Sequence, residues 1–100
     1  MNTILRTDEF DSWLSKLKDF RGKARIIERI KSAERGNFGD CSPVGEGVSE
    51  MRIHFGKGYR VYYKRIGNVI YVLLCGGIKR TQRNDIEKAK KLAKLLEEEE

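Results

Sequence analysis

A chain of 100 residues, 39% apolar and 36% charged, makes one small domain of at most two packed layers around a single core. Its longest apolar run, residues 69–75, is seven residues against roughly 20 for a membrane-spanning helix; the first residues lack the basic start and apolar stretch of an export signal; and Cys41 and Cys75 have no spacing suited to a disulfide framework or a cysteine-rich zinc site. The net charge of +6 is unevenly placed, with nine Lys/Arg against nine acids in residues 1–50 and twelve against two in residues 51–94, so a cytoplasmic domain with reduced thiols is expected, whose second half faces a polyanion rather than a membrane.

Residues 3–6 read as a short first strand. Thr7 then caps a helix, with Asp8 and Glu9 well placed in its first turn. Phe10, Trp13, Leu14 and Leu17 recur at i, i+3, i+4 and i+7, and the stripe ends near Asp19. A second helix follows at once, with Lys23, Ile26, Ile27, Ile30 and Ala33 on its period and Gly36-Asn37 as its stop, so that the two form a helical hairpin. Residues 37–47, rich in glycine and holding the only proline, Pro43, read as a loop. Three strands are expected over residues 49–55, 59–65 and 69–75, joined by turns at Gly56-Lys57-Gly58 and Ile66-Gly67-Asn68. The third run is apolar at nearly every position, as in a central strand buried on both faces, with Cys75 in the core. Thr81 caps a last helix in which Ile86, Ala89, Ala93 and Leu96 share a face and Leu92 and Leu95 lie alongside. The four glutamates at 97–100 oppose that helix's dipole and are expected to fray. The fold class is α+β, with two N-terminal helices packed on a small antiparallel sheet and a C-terminal helix, in a single domain spanning residues 1–100.

A three-residue turn at Gly56-Lys57-Gly58 pairs Phe55 with Tyr59, His54 with Arg60, Ile53 with Val61 and Arg52 with Tyr62. Alternation then places Met51, Ile53, Phe55, Tyr59, Val61 and Tyr63 on the face beneath the helices. Arg52, His54, Arg60, Tyr62 and Lys64 take the other face. Like charges opposed across strands cost up to about 1 kcal/mol per pair, a conflict that a bound phosphate would relieve. A solvated face that discourages edge pairing is the plainer reading of the same pattern. After the third strand, Lys79, Arg80 and Arg83 bring three more cations to a strand-to-helix junction, where backbone N–H groups favour anions. The spacing there differs from the GxxxxGK[ST] of a nucleotide-binding loop, and one histidine with few acids near it offers no metal ligand set. Neither nucleotide hydrolysis nor a metal or other cofactor is therefore expected.

The chemistry open to these groups is metal-independent cleavage of RNA by its own 2′-hydroxyl. A base removes the hydroxyl proton, cations stabilise the phosphorane and an acid protonates the departing 5′ oxygen. His54 suits the base or the acid role. Arg60 and Lys79 suit charge stabilisation and Arg52 the holding of a phosphate, while Tyr62 either stacks on a base or donates a proton. Lys57, Lys64, Arg80 and Arg83 are the further RNA-binding candidates.

The run GVSEMRIHFGKGYRVYY, Gly47 to Tyr63, resembles the RelE/ParE toxin superfamily, and within it the HigB-type addiction module killer proteins. Supporting stretches are FDSWL at Phe10, GNFGD at Gly36 and the GGxKxTQxxDI pattern from Gly76 to Ile86, which together span nearly the whole chain in family order. The resemblance implies a RelE-like fold and a complex with a cognate antitoxin, often a small helix-turn-helix protein. It also implies cleavage of mRNA in the ribosomal A site by a toxin that is monomeric when free. By motif position, Arg52 and His54 match the basic strand residues of the RelE-type site, Arg60 the arginine of its GYR motif, and Lys79 or Arg80 the later cation. The sequence departs from the family in one respect, because no Tyr or His follows Tyr71 to serve as the C-terminal acid/base group. The runner-up reading is a ParE-like toxin that inhibits a topoisomerase by binding, without nuclease chemistry.

Overall fold

The computed structural model, which describes residues 1–98, is an α+β domain. Its elements run β1 (Thr3–Arg6), α1 (Asp8–Lys16), α2 (Phe20–Glu34), β2 (Cys41–Gly45), β3 (Val48–Ile53), β4 (Tyr59–Arg65), β5 (Ile70–Ile78), a short 3-10 helix (Lys79–Thr81) and α3 (Gln82–Glu98). One five-stranded sheet is ordered β1-β5-β4-β3-β2. The sheet is mixed rather than antiparallel throughout, because β1 lies parallel to β5 while the other neighbours are antiparallel. The chain thus opens on a strand, and the two helices carry it from β1 at one edge of the sheet to β2 at the other, so that the parallel pair β1 and β5 is joined through α1, α2 and three strands. No helix among the described residues is long and apolar enough to cross a membrane.

The segment expected to be a loop supplies β2, which pairs along β3 at the sheet edge. Pro43 is tolerated there because an edge strand can spare one N–H. The caps follow local rules. Thr7 Oγ1 accepts from Phe10 N at 3.0 Å and donates to the Leu74 carbonyl at 2.7 Å. Asp19 accepts from Gly22 N at 3.0 Å and from the Tyr59 hydroxyl at 2.7 Å, which ties the start of α2 to the start of β4. Burial, followed by the bond to Asp19, pushes the Tyr59 hydroxyl up to about 12.

Two apolar clusters form instead of one, and the domain has three layers instead of two. On one face, Phe10 and Leu14 of α1 and Ile26, Ile30 and Ala33 of α2 pack against Met51, Ile53, Val61, Tyr63 and Leu73. On the other, Ala89 and Ala93 of α3, with Ile86, Leu92 and Leu96 beside them, cover Val48, Tyr62, Val72, Leu74 and Cys75. Alternation in β5 assigns residues to both clusters, and the register irregularity at Tyr62/Tyr63 leaves Leu74 and Cys75 on the same side. Each large apolar side chain fully buried this way contributes roughly 1.5–3 kcal/mol. Helix α3 continues through Glu98, and Glu97 pairs with Lys64 rather than fraying; positions 99 and 100, also expected to fray, lie outside the described residues.

The Gly76-Gly77 pair in β5 has a packing reason. A Cβ at Gly76 would stand 2.3 Å from the Trp13 ring, and one at Gly77 only 1.8 Å from the Asp85 carboxylate. Trp13 has little room to retreat, since its ring lies 5.8 Å from that of Phe10 and 6.4 Å from that of Tyr59, centroid to centroid. Gly76→Ala is therefore expected to destabilise the fold by about 1–3 kcal/mol in urea unfolding, the usual cost of overpacking a core. A variant as stable as the wild type would show that Trp13 does not rest on this strand.

Candidate nucleic-acid interface

The candidate site is built at the tip of the β3–β4 hairpin. Ile53 pairs with Tyr59 and Arg52 with Arg60, which leaves a five-residue connection from His54 to Gly58. The expected pairing of Arg52 with Tyr62 is thereby displaced by two residues. Because side chains alternate with period two, a two-residue displacement keeps every strand residue on its predicted face. Gly56 and Gly58 take positive φ, 55° and 74°, to turn the chain. His54 leaves the ladder as a result, and its side chain is 69% exposed.

Four of the predicted residues come together. His54, Lys57, Arg60 and Lys79 line one shallow concavity of about 380 Å³ along with the loop backbone. Lys79 N donates to the Lys57 carbonyl at 3.3 Å, which fixes the end of β5 beside the hairpin tip. Arg80 joins Lys57 and Lys79 around an adjoining concavity. Arg60 is only 7% exposed. Its Nη1 donates to the Gly58 carbonyl at 2.7 Å, whereas its buried Nε has no partner among the described residues. An unpaired buried N–H costs about 1–3 kcal/mol, more in a charged group, so Arg60 weighs against the stability of the fold.

The other four predicted residues are elsewhere or otherwise engaged, and Arg52 is the chief correction. Its Nε and Nη2 donate to Asp40 Oδ2 and Oδ1 at 3.1 and 2.7 Å, and its Nη1 donates to Ser42 Oγ and Glu50 Oε1, both at 2.8 Å. A guanidinium so committed has little left with which to hold a phosphate. Tyr62, expected to stack on a base or give up a proton, is wholly buried because α3 lies across its face. Burial raises its hydroxyl pKa far above the ordinary tyrosine value, with Glu50 and Asp85 adding to the effect. Lys64 is paired with Glu97, four residues beyond Arg60 on β4, or ~13 Å at ~3.3 Å per residue. Arg83 is exposed in the first turn of α3 and lines neither concavity.

Sequence reasoning missed the acids. Asp40 accepts from Arg52 and stands 2.5 Å from His54 Nε2 through Oδ2. Glu50 is 3% exposed and accepts from Arg52 and, through both oxygens, from Gln82 Nε2 at 3.2 and 2.9 Å. Glu50 was readable in principle, since Glu50 and Arg52 lie two apart on one strand face. Asp40 had no such signal, because its segment carries no periodicity. Arg29 of α2 holds that segment by donating to the carbonyls of Arg52, Phe38 and Asp40 at 2.6, 2.9 and 3.3 Å.

Arg52 first, and His54 second, hold the Asp40 carboxyl well below the usual carboxylate range. A carboxylate whose folded pKa is depressed stabilises the fold above its unfolded value of about 4, and that contribution is lost as pH falls toward the folded value. Asp40→Asn is thus expected to be less stable than the wild type at neutral pH, with the gap closing as the pH drops from about 5 to 2. Denaturant unfolding across that range measures it, and a gap independent of pH would mean that the carboxylate charge carries none of the stability.

Compared with known proteins, the chain is 55% identical over 93 residues to a Haemophilus influenzae (strain Rd) protein described as uncharacterized, an overlap of 93% of this chain and 94% of that protein. No family model matches the chain, and no solved structure matches it.

Proposed function

The chain belongs to the same family as the Haemophilus influenzae protein, and we propose that it is the toxin of a type II toxin–antitoxin pair. In this reading it is a HigB-type member of the RelE/ParE superfamily that cuts mRNA on the ribosome without a metal and so blocks translation. The observation that carries the reading is the meeting of His54, Lys57, Arg60 and Lys79 around one concavity. The family-like motif from Gly47 to Tyr63 supports it from the sequence side.

His54 takes the proton of the RNA 2′-hydroxyl, and the freed oxygen attacks the adjacent phosphorus. Arg60 and Lys79 face the negative charge that develops on the phosphorane. The bond from phosphorus to the 5′ oxygen breaks, and that oxygen takes a proton from water, since no Tyr or His follows Tyr71 to supply one. The products are a 2′,3′-cyclic phosphate and a 5′-hydroxyl end. Lys57 and Arg80 extend the positive surface along the strand being cut. Arg52 leaves the phosphate-holding role and Tyr62 the stacking role, so few groups remain to grip RNA. A concavity this shallow fits a substrate presented by a larger body, here the ribosome. A cognate antitoxin, a small helix-turn-helix protein, would silence the toxin by covering the basic tip.

His54→Ala removes an exposed side chain and leaves both cores intact. It is expected to lower cleavage by about 10²–10⁴-fold, the usual worth of a positioned general base. The test maps new mRNA 5′ ends after brief induction of wild type and variant, with translation running and with it blocked. In-frame 5′-hydroxyl ends that vanish in both controls are the expected result. Growth arrest with intact mRNA and DNA damage would instead identify a topoisomerase inhibitor.

A further inference from the structure

His54 has a fixed partner on one side of its ring only. Its Nε2 is 2.5 Å from Asp40 Oδ2, and no other side-chain hydrogen bond reaches the ring among the described residues. The protonation of Asp40 follows from its other neighbour. Both of its oxygens accept from Arg52, at 3.1 and 2.7 Å, and a guanidinium can only donate. A carboxylate so engaged is ionised and can only accept, so the proton between it and the ring sits on the ring nitrogen. A neutral imidazole carries one N–H, and here that N–H is at Nε2. Nδ1 is left as the unprotonated nitrogen.

The support behind Asp40 is unusually complete for a residue in an exposed segment. Arg52 is pinned by Ser42 and by the buried Glu50, and Glu50 by Gln82 at the start of α3. The backbone is pinned as well, because Arg52 N donates to the Asp40 carbonyl at 2.9 Å and Arg29 donates to the same oxygen at 3.3 Å. Gly39 takes a positive φ of 64° to bring the chain round, and a Cβ there would stand 2.8 Å from Arg29. Glu28 of α2 is the competing acid, for it lines a second concavity that His54 borders on the α2 side. No hydrogen bond joins Glu28 to the ring among the described residues.

We infer that Asp40 is a positioning residue that holds neutral His54 as its Nε2–H tautomer and so presents Nδ1 as the base for the 2′-hydroxyl. The role of that nitrogen rests on the nuclease reading above, whereas the tautomer is measurable without it. Arg52 acquires its purpose from the same geometry, as the group that keeps Asp40 ionised and oriented.

The chain has one histidine, so every imidazole nitrogen signal belongs to His54. Two-bond proton–nitrogen correlation spectra of ¹⁵N-labelled protein, recorded as the pH is raised until both nitrogen shifts stop moving and the ring is neutral, report which nitrogen carries the proton. The wild type is expected to show a pyrrole-like Nε2 and a pyridine-like Nδ1. In Asp40→Asn and Asp40→Ala both nitrogens should move toward the averaged values of an unrestrained ring, while Glu28→Gln leaves them unchanged. A wild type with the proton on Nδ1, or with shifts equal to those of the Asp40 variants, overturns the positioning role, and the wild-type spectrum decides this even where a variant fails to fold. In the cleavage assay, Asp40→Asn is expected to lose about 10²-fold, in line with misplacement of a catalytic group. Cleavage that needs His54 while its tautomer ignores Asp40 would sink the positioning role and leave the nuclease reading standing. Cleavage indifferent to His54 would overturn the base role whatever the tautomer.

Discussion

Arg52 stands where four parts of the chain meet, and its N–H groups join them. Asp40 comes from the segment after α2, Ser42 from β2 and Glu50 from β3, and Glu50 in turn accepts from Gln82 at the head of α3. Glu50 is the member that makes the arrangement obligatory. A carboxylate that is 3% exposed must be paired, because an uncompensated buried charge costs far more than an exposed ion pair returns. Arg52 therefore belongs to the structure, and the site at the hairpin tip is placed by it rather than made from it.

Covering both faces of the sheet has a second consequence for the same region. Helix α3 brings Ala89 and Ala93 down on Tyr62 and Val48, which turns a face patterned with polar residues into an interior. Arg60 is caught at the margin of that interior, with one guanidinium nitrogen bonded to the Gly58 carbonyl and another left without a partner. Such a buried, half-satisfied cation is costly to the resting fold.

The basic surplus of the second half divides along these lines. Lys64, Lys88 and Lys90 are matched to Glu97, Glu9 and Glu46, and Arg52 to Asp40 and Glu50. What remains exposed at one end of the sheet is Lys57, Lys79 and Arg80, the positions where β5 and the hairpin tip are bonded together. Other cations without an acid partner among the described residues lie apart from this group, Arg65 at the β4–β5 turn and Arg83, Lys91 and Lys94 along α3.

The sequence alone determined the elements with strong local signals. The apolar stripes set the three helices, Thr7 set the start of α1, and alternation assigned the faces of β3 and β4 correctly despite a pairing displaced by two residues, since both periods are properties of single segments. It also marked out His54, Lys57, Arg60 and Lys79, which the fold brings together. Only the tertiary structure decided that β1 runs parallel to β5, that residues 41–45 form an edge strand, that α3 closes the second face over Tyr62, and that Asp40 meets His54 and Arg52. Each of these depends on contacts between residues far apart in the chain, whose free energy comes from burial and charge pairing across elements, and no local period records them.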